Sequence, residues 1–214
     1  MTLRINFIFV CEGTSDKGLI KHLEDLCVIN GADEATGLYP DLNLIGLSGK
    51  SVSEKVRTAL KLEPNADLIF IHRDSDARDP EPRYQEIHTQ ILKISSDLKY
   101  VPVIPVQETE AWLLTDANEI RKIAENPKGT VNLNLPKIAQ IERTASPKEI
   151  LKSAIVTASE TSGRRLQLIK KRFSNKRRQL LERLDIYGDI NQLKSWQRLK
   201  TDIATVIADL SQPI

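Results

Sequence analysis

The stretch DLIFIHRDSD, residues 67–76, decides the fold. It contains a continuous run of apolar residues, 68–71, that has the length of a buried β-strand. Two aspartates, Asp74 and Asp76, follow this run. On an extended segment alternate side chains share a face, so these two carboxylates can coordinate one cation or bridge two. The same two residues are also common in ordinary turns, so the pair by itself does not identify a metal site.

Similar apolar runs lie on both sides of this stretch, and amphipathic helical segments separate them. Such alternation is typical of a parallel sheet with crossover helices, so we predict an α/β fold with a mainly parallel, four-stranded sheet flanked by helices. The predicted strands cover residues 3–11, 42–47, 67–72 and 100–106. Pro102 and Pro105 each remove a hydrogen-bond donor from the last strand, which we therefore expect at a sheet edge or interrupted by a bulge.

Polar caps mark where the helices begin. A first helix starts near Ser15 and ends at residues 30–31, and Ser51 with Glu54 forms a capping box for a second helix. After residue 108 the pattern becomes helical, and no strand is expected after residue 135. The predicted organisation is an acidic-site α/β domain over residues 1–116, followed by a helical C-terminal region over residues 117–214.

Acidic residues follow three of the four predicted strands. Glu12 comes after the first strand, Asp74 and Asp76 after the third, and Glu108 and Glu110 after the fourth. Side chains beyond the carboxyl ends of parallel strands converge on one crevice, and repulsion between gathered carboxylates is costly unless a cation is bound. Oxygen ligands suit Mg²⁺ or Mn²⁺, so the pattern predicts a divalent-metal site. For Glu12 alone, a solvated carboxylate at a helix start is an equally good interpretation.

The charge of the chain is unevenly distributed. The net charge is only +2, but residues 164–183 hold nine basic residues and one acidic residue. Such a run is usually the solvated face of an amphipathic helix, although its density favours nucleic-acid contact, with docking onto an acidic partner protein as the next interpretation. The residues predicted to contact nucleic acid are Arg164, Arg165, Lys170, Lys171, Arg172, Lys176, Arg177 and Arg178.

The bulk composition excludes several classes of protein. Of the 214 residues, 40% are hydrophobic and 28% are charged, which is ordinary for a globular protein. No apolar run approaches the length of a membrane span, and the N-terminus lacks the layout of a signal peptide. Cys11 and Cys27 cannot form a disulfide framework and lack the spacing of a zinc site. We therefore expect a cytoplasmic protein without membrane contact, and we assign no chemistry to the two thiols.

Three sequence blocks carry a resemblance to a known family. The Glu-Gly pair after the first strand and the Asp-x-Asp after the third resemble the Toprim signature of primases, type II topoisomerases and OLD-family nucleases. The strings VCEGTSD, IFIHRDSDA and IPVQETEAWLLTD are similar to a bacterial domain-of-unknown-function family with a Toprim-like core. The resemblance covers residues 3–116 and implies a Toprim or Rossmann-like sheet. Members of that family often occur beside an ABC-type or AAA-type ATPase.

The resemblance also implies roles for individual residues. Glu12 would be a metal ligand or general acid/base, and Asp74, Asp76 and Glu110 would be metal ligands. Glu108 would be a further catalytic carboxylate. The implied activity is Mg²⁺- or Mn²⁺-dependent hydrolysis of DNA or RNA, with an ATPase as partner in a phage-defence type system. The alternative is a non-catalytic nucleic-acid-binding or regulatory subunit, and a homo-oligomer is compatible with either.

Overall fold

The protein is described by a computed structural model over residues 2–11, 13–42, 46 and 51–212. Within these residues a single sheet contains four strands, in the spatial order β2-β1-β3-β4, and all neighbouring strands are parallel. The strands are β1 (Arg4–Val10), β2 (Glu34–Leu38), β3 (Leu68–His72) and β4 (Tyr100–Val103). The predicted α/β class with a parallel, helix-flanked sheet is confirmed.

The two central strands owe their position to their continuous apolar runs. Every residue of β3 is buried, as expected for a parallel strand covered on both faces. The register pairs Phe7 with Leu68 and Val10 with Ile71. β4 lies at one edge of the sheet, where Pro102 removes a donor at little cost, so the expectation from the prolines is confirmed.

The structure contains a strand that the sequence analysis did not predict. The strand that pairs with β1 is Glu34–Leu38, not residues 42–47. Of that predicted stretch, residues 43–45 and 47 lie outside the described residues, and Leu42 and Gly46 lie in turns. The true strand is a sheet edge whose residues are exposed or half-buried, so it lacks the apolar run that marks buried strands.

Gly37 shows why this edge strand has an unusual composition. A Cβ atom at this position would lie 2.4 Å from the Phe7 ring and 2.5 Å from the Ile20 side chain. Only glycine therefore allows β2 to approach so closely both β1 and the helix that connects β1 to β2. The Gly37 N–H donates to Glu24 Oε1 at 2.9 Å, which satisfies a donor at the sheet edge.

Ten α-helices are described outside the strands. They are α1 (Leu19–Ile29), α2 (Val52–Leu62), α3 (Glu81–Leu92), α4 (Glu110–Leu113), α5 (Ala117–Ile123), α6 (Ile138–Ile141), α7 (Pro147–Ala158), α8 (Gly163–Lys171), α9 (Phe173–Glu182) and α10 (Lys194–Leu210). The capping box of Ser51 and Glu54 is present at the start of α2, as predicted. None of the described helices combines the length and apolar character that a membrane crossing requires.

The chain divides into two compact units, which differ from the predicted regions 1–116 and 117–214. The first unit comprises Met1–Arg73, Asp79–Ile104 and Gln197–Ile214, and the second comprises Asp74–Arg78 and Pro105–Trp196. The first unit contains the sheet, and its core includes Ile8, Ile69 and Ile87. The second unit is helical, and it holds four of the five acids predicted for the metal site.

Candidate functional site

Two acidic segments of the second unit are joined by hydrogen bonds. We call residues 74–78 the aspartate loop and residues 107–110 the glutamate segment. The Asp76 N–H donates to Gln107 O at 3.1 Å, and the Gln107 N–H donates to Ser75 Oγ at 3.0 Å. Two of the three predicted acidic clusters therefore lie side by side, as the argument from strand ends requires.

Asp74 is fixed by one residue of the glutamate segment. The backbone N–H and the hydroxyl of Thr109 both donate to Asp74 Oδ1, at 3.0 and 3.1 Å. Thr109 is completely buried, so its hydroxyl cannot turn instead to bulk water. Two donors on one carboxylate oxygen stabilise the charged form of Asp74 and fix its orientation.

The backbone on both sides of this junction adopts an uncommon conformation. Asp76 has φ 54° and Gln107 has φ 53°, both in the left-handed region that residues other than glycine rarely occupy. These two residues are hydrogen-bonded to each other through Asp76 N–H and Gln107 O. Left-handed residues other than glycine persist only where the surrounding structure holds them, and they cluster at functional sites.

Glu110 forms a buried ion pair instead of pointing toward solvent. Arg177 Nε donates to Glu110 Oε1 at 3.0 Å, and both side chains are buried. A buried carboxylate needs a compensating charge, and here the guanidinium of α9 supplies it. The geometry therefore disfavours the prediction that Glu110 is a metal ligand, because its charge is already neutralised. The same contact ties the glutamate segment to α9.

Glu108 stabilises the start of a helix. Its Oε2 atom accepts a hydrogen bond from the Lys148 N–H at 3.0 Å, in the first turn of α7. Ser146, the residue before that helix, has φ 58° and makes no capping bond with its side chain. Glu108 thus supplies the acceptor and the negative charge that a helix N-terminus favours. This role is not visible in the sequence, because the two residues lie 40 positions apart.

Six of the eight basic residues predicted to contact nucleic acid are exposed on or beside α8 and α9. They are Arg164, Arg165, Lys170, Lys171, Arg172 and Arg178. Arg165 and Arg178 lie 3.7 Å from Glu125 and Glu182 in half-exposed ion pairs, which contribute little in water. The exposed side chains of this group form what we call the basic surface.

The prediction is wrong for the remaining two, Lys176 and Arg177, because both are buried. Lys176 Nζ donates to Ile123 O at 2.7 Å and to Glu125 Oε1 at 2.9 Å. This contact lowers the pKa of the Glu125 carboxyl below its usual value. Both cations anchor α9 within the second unit, so neither is exposed to contact a nucleic acid.

The residues around the first strand end are only partly described. Glu12 lies outside the described residues. Cys11 is buried, and desolvation together with the negative charge of Asp16 raises the pKa of its thiol to about 12. Burial likewise raises the pKa of Cys27 to about 12. Both thiols stay protonated at neutral pH, so neither is an activated nucleophile.

The residues that the structure describes, which do not include Glu12, contain no group of three or more His, Cys, Asp or Glu side chains that could hold a metal ion. Asp74 and Asp76 provide the hard oxygen donors that Mg²⁺ and Mn²⁺ prefer, and they fit such an ion chemically. Glu110 does not fit, because Arg177 already neutralises it.

Trp112 lies two residues after the glutamate segment and supports it from the core. Its side chain is completely buried, its ring meets the Trp196 ring edge-on at 5.0 Å, and its Nε1–H donates to Ser195 Oγ at 2.9 Å. A fully buried indole cannot stack on a nucleic-acid base, so packing is its role. Paired aromatic rings of this kind rigidify the segment that carries Thr109 and Glu110.

Comparison of the chain with protein-family models, with curated proteins and with solved structures finds no match. The resemblance of the three sequence blocks to a Toprim-like family therefore stays a prediction. The functional proposal below therefore depends on the contacts of the aspartate loop, the glutamate segment and the basic surface.

Proposed function

We propose that this chain is a divalent-metal-dependent nuclease that hydrolyses phosphodiester bonds in DNA or RNA. The observation that supports this most is the junction of the aspartate loop with the glutamate segment, where Thr109 holds Asp74 in a fixed orientation. Carboxylates that are fixed before a ligand arrives are what a metal site requires. The left-handed backbone at Asp76 and Gln107 adds a second reason to assign function to this junction.

In this proposal Asp74 and Asp76 hold Mg²⁺ or Mn²⁺, and Glu12 keeps the role that the sequence resemblance implies. When bound, the ion would polarise a phosphoryl oxygen and lower the pKa of a water molecule that attacks phosphorus. Thr109 orients Asp74. Glu110 and Glu108 act as positioning residues, because each is bonded to a group of its own: Glu110 to Arg177 and Glu108 to the start of α7.

The basic surface supplies the binding part of the proposal. Its exposed cations belong to the same compact unit as the aspartate loop. Long, flexible cationic side chains on adjacent helices suit contact with the phosphate backbone, which is independent of base sequence and sensitive to salt. We therefore expect nucleic-acid binding to weaken steeply as the salt concentration rises.

A second candidate function is a nucleic-acid-binding or regulatory subunit without catalysis. It is favoured by the finding that the described residues, taken without Glu12, contain no set of three metal-binding side chains. Both candidates are compatible with an ATPase partner in a phage-defence type system. That context rests on the sequence resemblance alone.

Cleavage assays with matched variants distinguish the two candidates. Labelled single-stranded and double-stranded DNA and RNA are incubated with Mg²⁺ or Mn²⁺ and with wild-type protein, Asp74→Asn or Glu12→Gln. Asp189→Asn, which alters an exposed aspartate elsewhere in the second unit, is the control. The nuclease proposal requires metal-dependent cleavage that both site variants abolish while nucleic-acid binding persists. Binding without cleavage in every protein would favour the non-catalytic subunit.

A further inference from the structure

A cavity of about 460 Å³ lies in the first unit between α3, β4 and α10. Its lining includes Glu81, Tyr84 and His88 from α3, Tyr100 from β4, and Asp202 from α10. None of these residues belongs to the predicted metal site or to the basic surface. A volume of this size is within the range of cavities that bind small molecules or single side chains.

Most of the polar groups in this cavity already have partners. Arg198, also in the lining, donates to Glu81 Oε2 at 2.9 Å, and its guanidinium carbon lies 3.3 Å from the centroid of the Tyr84 ring. His88 Nδ1 and the Tyr100 hydroxyl are hydrogen-bonded at 2.7 Å. Arg198 therefore makes its direct ion pair with Glu81.

Asp202 lacks a direct partner of this kind. Its carboxylate is half-buried, and it makes no hydrogen bond or ion pair with any residue that the structure describes. Burial raises its pKa above the usual value, and the opposing effect of Arg198 is smaller. Arg198 interacts with two carboxylates of the lining, Glu81 directly and Asp202 more weakly, so these three charged side chains sum to one negative charge that a bound cation would balance.

The neighbours of Asp202 indicate which kind of counter-charge fits. Burial raises the pKa of the Tyr100 hydroxyl, and the negative charge of Asp202, which lines the same cavity, raises it further. A carboxylate beside an aromatic ring is the combination that recognises organic cations. Multivalent metal ions fit poorly, because the described residues contain no set of three acidic, histidine or cysteine ligands.

We propose that this cavity binds an organic cation, an ammonium or guanidinium group, whose charge pairs with Asp202 and whose carbon chain packs against Tyr100. Arg198 shows that the same wall accepts a guanidinium, since its own lies on the Tyr84 ring. The cation comes either from a free small amine or from a lysine or arginine side chain of a partner protein. This site is independent of the proposed nuclease activity.

Calorimetric titration of the full chain tests the proposal. The probes are agmatine, which carries both an ammonium and a guanidinium group, a short peptide rich in lysine and arginine, and pentanamide as a neutral control. The variant is Asp202→Asn, which keeps the shape and removes the charge. The matched control is Asp209→Asn, which alters an exposed aspartate of the same helix that pairs with Lys99.

We expect agmatine to bind the wild type and to lose about tenfold or more in affinity with Asp202→Asn, because a charge-assisted contact is removed. Asp209→Asn should change the affinity by less than about twofold. If the peptide binds more tightly than agmatine and loses this affinity with Asp202→Asn, the cation comes from a protein side chain. If agmatine binds and the peptide does not, the cation is a free amine. Equal affinity with Asp202→Asn, equal binding of pentanamide, or no saturable binding of either cation would overturn the proposal.

Asp202→Asn must remain folded for this comparison. Asp202 makes no hydrogen bond with a described residue and is more strongly affected by burial than by Arg198, so Asp202→Asn should leave the melting temperature unchanged or higher. Circular dichroism checks this directly. A marked loss of stability would mean that Asp202 has a partner in the folded chain, which would contradict the reason for a cation site.

Discussion

At the scale of single residues, Thr109 is the side chain on which the candidate metal site depends most. It is buried and donates twice to Asp74. Thr109→Val keeps the shape and removes the hydroxyl donor, so Mn²⁺ affinity should fall about tenfold, the effect of one hydrogen bond to a charged group. Thr109→Ser keeps the donor, so its Mn²⁺ affinity should stay within about threefold of the wild-type value. Isothermal calorimetry measures both affinities, and an equal loss with Ser and Val would assign Thr109 to packing alone.

The pair of Glu110 and Arg177 makes a different prediction at the same scale. Either Glu110→Leu or Arg177→Met leaves a buried charge without its partner and should cost about 3–5 kcal/mol of unfolding free energy. The double variant removes both charges and should cost much less than the sum of the two. Urea unfolding of all four proteins measures this coupling. Strictly additive losses would show that the two residues do not interact in the folded chain.

The burial of Arg177 and Lys176 could have been inferred from the sequence. Leu166, Ile169, Phe173 and Leu180 mark one helical stripe, and positions 176 and 177 fall on it between Phe173 and Leu180. Charge composition alone ignores this spacing and therefore predicts, wrongly, that both residues are exposed. The contacts of Thr109 and Glu108 could not have been inferred, because their partners lie 35 and 40 positions away.

At the scale of elements, helix α8 carries a prediction about salt. Arg164 and Lys171 are exposed and lie two turns apart on one side of that helix. Arg164→Gln with Lys171→Gln should weaken binding to double-stranded DNA and reduce the slope of log affinity against log salt by about 1.8, the loss of two phosphate contacts. Lys137→Gln with Lys152→Gln, two exposed lysines of the same unit outside α8 and α9, should leave that slope unchanged. Fluorescence anisotropy over a salt series measures both slopes, and identical slopes for the two double variants would exclude α8 as the contact.

The strands show where prediction from sequence succeeds and where it fails. β3 and residues 7–10 of β1 are buried on both faces, and a run of apolar residues identifies each of them. β2 is an edge strand with the sequence Glu-Ala-Thr-Gly-Leu, and its Gly37 is required by close packing against Phe7. Tertiary contact, not local preference, makes this segment a strand, so no local pattern could have predicted it.

At the scale of the whole molecule, the buried thiols predict how stability depends on pH. Burial raises the pKa of Cys11 and Cys27 to about 12, whereas an unfolded thiol has an ordinary pKa of 9.0. Above pH 9 the unfolded chain loses these protons and the folded chain keeps them, so the unfolding free energy falls as pH rises from 9 toward 12. Below pH 9 the two thiols contribute no pH dependence.

Denaturant unfolding at pH 8, 9, 10 and 11 measures this dependence. The variant Cys11→Ala with Cys27→Ala serves as the comparison, because it lacks both thiols. Its unfolding free energy should fall less steeply with pH than that of the wild type, whatever its absolute stability. The same slope in both proteins would mean that other groups account for the alkaline loss.

The class of the fold, its parallel sheet and the proximity of the two later acidic clusters follow from hydropathy and strand ends, which are local features of the chain. The division into two compact units does not, because each unit combines segments that are distant in sequence. The ion pair that removes Glu110 from the list of ligands is also a product of that tertiary arrangement. Function must therefore be tested at the junction of the aspartate loop and the glutamate segment.

The most direct test is calorimetric titration of Mn²⁺ into wild-type protein and into Asp74→Asn/Asp76→Asn, with Asp189→Asn as the control. We predict saturable binding by wild type and by the control, and no binding by the double variant, because both proposed ligands have lost their charge. Wild-type protein that binds no Mn²⁺ at millimolar concentration, or a double variant that binds it as tightly as wild type, would contradict a metal site at the aspartate loop.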